Sequence, residues 1–266
     1  MSAAVHAPFD LEDIRILPGA DHDVRLYPVA KRVRAFFGDI AIADSTRVQL
    51  MLESGRLPVY YFPVEDVRMN LLVAGTRRES SPYKGQATYF SIDTGKSVAL
   101  NAAWRYDSSP AECPDLSSLV AFHWRLMDAW YEEDEEVFAH ARDPFHRIDI
   151  LRSSRSVQVR IGNTVVADTR RSRMLFETGL PVRYYIPRED VRIDLLTLSG
   201  SVTACAYKGQ TSRYWDFTGG KRDIAWSYEE PSPEVGAIAA LICFFNERTE
   251  ISIDGVVQQK PQTPWS

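Results

Sequence analysis

Tyr60-Tyr61-Phe62-Pro63-Val64-Glu65-Asp66-Val67-Arg68 returns downstream as Tyr184-Tyr185-Ile186-Pro187-Arg188-Glu189-Asp190-Val191-Arg192. The recurrence extends in both directions without a gap, from 38–86 against 162–210. Upstream, Glu53-Ser54-Gly55 meets Glu177-Thr178-Gly179. Downstream, Tyr83-Lys84-Gly85-Gln86 meets Tyr207-Lys208-Gly209-Gln210. The register then slips, and Ala103-Trp104-Arg105-Tyr106 pairs with Ala225-Trp226-Ser227-Tyr228. The unit is longer than a solenoid repeat and occurs twice, so it reads as a duplicated domain.

The duplication sets the expected organisation: a tail over 1–30, a first domain over 31–139, a linker over 140–155 and a second domain over 156–266. Asp143-Pro144 and Ser153-Ser154 give the linker its turn-like composition. His140, Asp143 and His146 fall there, and the second copy has no counterpart of that trio, so no metal site is expected from it.

Within each copy the pattern predicts a mainly β fold with short helices. Val157-Gln158-Val159-Arg160-Ile161 alternates, turns at Gly162-Asn163 and returns as Thr164-Val165-Val166. Val33 to Ile42 repeats this around Gly38-Asp39. Asp44-Ser45 and Asp168-Thr169 resemble N-caps, and Gly55 and Gly179 resemble helix stops. A short helix is therefore expected in between, over Val48, Met51 and Leu52 and over Met174 and Leu175. Asp190 to Leu195 alternates strictly and predicts a strand with Asp190, Arg192 and Asp194 on one face. Helical stretches are expected over Asp115–Trp124 and Glu234–Phe244, and closing strands at Ala129-Trp130-Tyr131 and Glu250–Ile253. Trp104, Trp215 and Trp226 read as core aromatics.

Composition narrows the function. The chain is 45% hydrophobic and 25% charged, with a formal net charge of -5 and a pI near 5.6. A broad basic surface for nucleic acid is not expected from that balance. Three cysteines without any Cys-x-x-Cys argue against a zinc knuckle or a disulfide framework. No apolar run approaches the roughly 20 residues of a membrane helix, and the acidic first segment is unlike a signal peptide. A cytoplasmic chain with no cofactor is the expectation. No catalytic fingerprint is present, neither a Walker loop nor Gly-x-Ser-x-Gly nor His-Glu-x-x-His.

Two polar clusters occur twice and supply the candidate ligand-binding residues: Tyr60, Asp66, Arg68 and Lys84 in the first copy, Tyr184, Asp190, Arg192 and Lys208 in the second. Asp66 beside Arg68 on a strand offers a guanidinium fork for a carboxylate or phosphate; it equally describes an ion-paired sheet face. Lys84-Gly85 and Lys208-Gly209 place a basic head at an accessible edge where backbone approaches closely; they equally describe a solvated lysine beside a bulge. Three functions stay open: a small polar or anionic ligand bound in a cleft of each domain, an enzyme acting on a nucleotide or phosphorylated substrate, and a docking module.

The order of hairpin, Ala-Asp-Ser/Thr, Glu-x-Gly, Tyr-Tyr-x-Pro-x-Glu-Asp-Val-Arg, Leu-Leu, Tyr-Lys-Gly and Ala-Trp-x-Tyr resembles the bacterial domain-of-unknown-function family numbered 427, in tandem form. That resemblance implies two β-tent domains of the Mss4-like kind, and it carries a nucleotidyltransferase-like label. The Gly-Ser and paired carboxylates of polymerase-type transferases are absent, since Asn70 stands where the second copy has Asp194. The Cys-x-x-Cys pairs of zinc-binding β-tent relatives are absent too. Cys205 faces only Ser81 in the other copy, so a cysteine nucleophile common to both is not expected.

Overall fold

The computed structural model describes residues 22–266. These divide into two compact units, one reaching Asp143 and the other starting at Pro144. Each has one large and one small antiparallel sheet, and the second adds a two-stranded ribbon of Ala204–Cys205 with Gly209–Gln210.

In the first unit the large sheet runs, in spatial order, Val24–Pro28, Gln49–Glu53, Val59–Pro63, Leu119–Phe122, Val98–Tyr106, Gly85–Asp93 and Leu72–Ser81. The small sheet runs Glu135–Glu136, Ala129–Glu132, Val33–Phe37 and Ile40–Ser45. The second unit repeats both orders. Its large sheet is Ile148–Arg152, Arg173–Glu177, Arg183–Ile186, Ile242–Phe244, Ala225–Ser227, Arg213–Phe217 and Leu196–Ser199. Its small sheet is Thr164–Thr169, Val157–Ile161, Glu250–Ile253 and Val256–Val257.

The predicted hairpins and closing strands form as expected. Gly38 and Asp39 both take positive φ, +58° and +62°, as a two-residue turn of the primed type requires. Val33, Ala35 and Ile42 point from this hairpin into a core with Phe62, Val120 and Trp130. Val157, Val159, Val166, Ile186, Phe244 and Ile251 build the matching core of the second unit. Trp104 and Trp226 also point inward, each indole N–H donating to the hydroxyl of Tyr61 or Tyr185 at 3.1 and 3.3 Å.

Four expectations need correction. The helix over Val48 to Leu52 is the strand Gln49–Glu53, and Arg173–Glu177 is its copy. The cap-like Ser45 and Thr169 do accept a following N–H, from Arg47 and Arg171, but they close a turn between strands. The apolar residues bury on both faces of the sheet, so no strand period survives in the sequence. For the same reason, part of the expected helix Asp115–Trp124 is the central strand Leu119–Phe122, buried throughout. Glu234–Phe244 divides into a 3-10 segment, Pro233–Ile238, and the strand Ile242–Phe244.

The third correction concerns Asp190–Leu195, which alternates without being a strand. Two 3-10 turns, Arg188–Asp190 and Ile193–Leu195, occupy it, with Arg192 at φ -74° and ψ 74° between them. Only Val191 bridges to a neighbour, Ala167. Last, the tail and linker are shorter than expected. Val24–Pro28 pairs with Gln49–Glu53, and Ile148–Arg152 pairs with Arg173–Glu177. No helix among the described residues is long and apolar enough to cross a membrane.

Candidate functional site

The lysine of the Tyr-Lys-Gly unit turns inward in both copies. Lys208 is 8% exposed, and its Nζ donates to both oxygens of Glu177, at 2.6 and 2.5 Å. Lys84 is 7% exposed and donates to Glu53. The same carboxylates hold a histidine: His146 Nε2 lies 3.0 Å from Glu177, and His22 Nε2 lies 3.0 Å from Glu53. Each imidazole stacks on the tyrosine of the unit, Tyr207 at 4.0 Å and Tyr83 at 3.6 Å between ring centres. Burial opposes the Glu177 charge, but His146 and Lys208 outweigh it and hold the carboxyl below the ordinary glutamate range. A thiol accompanies each lysine: Cys205 beside Lys208, and Cys113 near enough to Lys84 for their charges to interact.

The expectation of an accessible lysine edge is therefore corrected. The lysine ends inside, because a buried glutamate from a different strand requires a counter-charge. The glycine is structural as well. Gly85 sits at φ +91°, and a Cβ there would lie 2.5 Å from the Ser108 carbonyl oxygen.

The Glu-Asp-Val-Arg unit separates into unlike parts. Asp66 pairs with Arg47 at 2.8 Å and accepts from Ser45 Oγ at 2.6 Å. Asp190 pairs with Arg171 at 2.6 Å and accepts from Thr169 Oγ1 at 2.6 Å. In both carboxyls the arginine is the chief cause of a lowered pKa. Arg68 is exposed, and Arg192 is engaged with Asp194 at 2.8 and 2.6 Å. The expected Asp66–Arg68 face does not form, since the intervening turns remove the strand. Arg68 and Arg192 are exposed while Lys84 and Lys208 are buried.

Tyr60 and Tyr184 also diverge. The buried Tyr60 hydroxyl lies 2.5 Å from Glu132, which Lys31 also contacts at 2.5 Å. Ile253 takes the register place of Glu132 in the second unit, and Tyr184 packs half-buried against the core.

A different set of side chains gathers around open space. In the second unit a cleft of about 600 Å³ is lined by Arg152, Arg170, Arg171 and Arg173, with Ser153, Ser154 and Ser172 between them. Pro187, Ala237 and Leu241 form an apolar wall. Arg152 and Arg173 stand directly opposite on paired antiparallel strands, a placement in which like charges repel. Arg171 is held by Asp190, and Arg170 is near enough to Asp254 for their charges to interact; Arg152 and Arg173 have no ion pair among the described residues. Ser172 is 1% exposed, and its hydroxyl has no hydrogen-bond partner among them. A buried hydroxyl left unsatisfied costs about 1–3 kcal/mol, so it calls for an explanation.

The first unit lacks this arrangement. The residues at the same places are Pro28, Thr46, Val48 and Gln49, with Pro28 opposite Gln49. Only Arg47, clamped by Asp66, is kept. Identity between the copies does not reveal Arg170-Arg171-Ser172-Arg173. The available signal was the contrast with Thr46-Arg47-Val48-Gln49.

No curated protein matches the chain. A family described as a domain of unknown function (DUF427) matches residues 25–133 and again residues 149–255. Those two spans coincide with the two sheet pairs, and the chain belongs to that family, carrying its domain twice.

Proposed function

We propose that this protein binds a small anionic ligand, and that the site is the arginine and serine cleft of the second unit. The carrying observation is the cross-strand pair Arg152 and Arg173, un-neutralised and flanked by the unsatisfied Ser172 hydroxyl. An anion between the guanidiniums would turn a repulsive pair into two charge-assisted contacts, each typically about 1.5–3 kcal/mol. Asp190 serves this reading indirectly, by fixing Arg171 at the rim. The overall net charge of -5 favours a confined site over a long nucleic-acid track.

The test is calorimetric titration of the full chain with inorganic phosphate. The double variant Arg152→Gln, Arg173→Gln should weaken binding more than tenfold, as the loss of one such contact already implies. Both positions are partly or fully solvent-facing, so folding is expected to persist. Phosphate binding that survives the double variant unchanged refutes the assignment.

A further inference from the structure

We infer that the ligand of this cleft is an organic phosphate monoester with an apolar face, an inference that rests on reading the cleft as an anion site. Three features of the lining select this class. The first is charge. Arg171 is matched by Asp190 and Arg170 is near enough to Asp254 for their charges to interact, which leaves two guanidiniums, Arg152 and Arg173, without an acidic neighbour among the described residues. A monoester carries roughly -1.5 to -2 at neutral pH and three strong acceptor oxygens. A single carboxylate offers one charge and two oxygens, and leaves a guanidinium unmatched.

The second feature is placement. Arg152 and Arg173 stand opposite each other on paired strands, so two oxygens of one tetrahedral group can meet both guanidiniums.

The third feature is size and polarity. About 600 Å³ is the volume of a small-molecule site, more than a bare oxyanion occupies. The wall formed by Pro187, Ala237 and Leu241 is apolar and stands beside the guanidiniums. A bare phosphate would leave that wall in water; the organic part of an ester covers it. In the first unit Pro28 and Gln49 replace both unmatched arginines, so one ligand per chain is expected.

The experiment titrates the full chain with four probes by calorimetry: phenyl phosphate, inorganic phosphate, benzoate and a short single-stranded oligonucleotide. The expected result is one phenyl phosphate per chain, bound at least about tenfold more tightly than inorganic phosphate and displaced by it. Benzoate should bind more weakly than either. Equal affinity for phenyl phosphate and inorganic phosphate overturns the ester inference and leaves the anion reading standing. Benzoate binding as tightly as phenyl phosphate overturns the choice of phosphate. Preference for the oligonucleotide over every small probe overturns the small-ligand class. If none of the probes binds in a way that the Arg152→Gln, Arg173→Gln variant abolishes, the anion reading itself fails.

Discussion

The two units share an interior and differ at a surface. Both bury a lysine and a glutamate beside a half-buried histidine, and both clamp an arginine to an aspartate beneath a Ser or Thr hydroxyl. At the neighbouring edge they part: three further arginines and a stranded serine in one, proline, threonine, glutamine and valine in the other. Duplicated polar residues thus form the scaffold here, and the unduplicated ones mark the candidate site. A charged residue repeated in two copies is evidence of a shared requirement, and in this protein that requirement is internal pairing.

The largest expected effect tests the scaffold half of this contrast. Lys84→Met and Lys208→Met each strand a buried carboxylate, and breaking a buried pair typically costs about 3–5 kcal/mol. Urea unfolding should show both variants severely destabilised. A Lys208→Met protein with an unchanged midpoint would return the lysine to the surface and reopen it as a ligand contact.

Next comes an exchange at one position. Ser172→Val removes an unsatisfied buried hydroxyl and should raise the midpoint of the unliganded protein while leaving phosphate binding nearly unchanged. Val48→Ser introduces the same hydroxyl into the unit without a cleft, and should destabilise by about 1–3 kcal/mol. Equal and opposite stability changes, with phosphate binding altered by neither, would sharpen the comparison. If Ser172→Val is destabilising, its hydroxyl has a partner and the contrast weakens.

A smaller effect is expected from pH. The folded Glu177 carboxyl titrates below its ordinary range. Its contribution to stability is present above the unfolded glutamate value, near 4.3, and is lost as pH falls through the lower folded value. Unfolding midpoints measured from pH 6 down to pH 3 should decline in the parent protein. The decline should be shallower in Glu177→Gln, once allowance is made for the lower starting stability of that variant.

Much of the fold was legible because the hairpins alternate around Gly-Asp and Gly-Asn, and because two copies corroborate each other. The central strands were misread as helices because Leu119–Phe122 and Gln49–Glu53 are buried on both faces and carry no polar punctuation. Asp190–Leu195 misled in the opposite sense: its alternation belongs to two tight turns, a geometry that periodicity does not distinguish. The site was less legible. Lys208 looks solvated in sequence because its partners, Glu177 and His146, are distant in the chain, and His146 lay in a presumed linker. The cleft was missed because Arg152 and Arg173 become neighbours only through strand register.

The buried cluster also bears on kinetics. His22 and Lys84 each meet Glu53 across 31 residues of chain, and His146 and Lys208 meet Glu177 across the same interval. Three separate segments must be docked before the cluster closes, and contacts of such sequence separation are costly to form early. We expect it to assemble after the folding barrier and to act as a latch on the finished sheet. Lys208→Met should then speed unfolding while leaving refolding nearly unchanged. Stopped-flow measurement in urea separates the two limbs, and a change confined to the refolding limb would place the cluster in the folding nucleus instead.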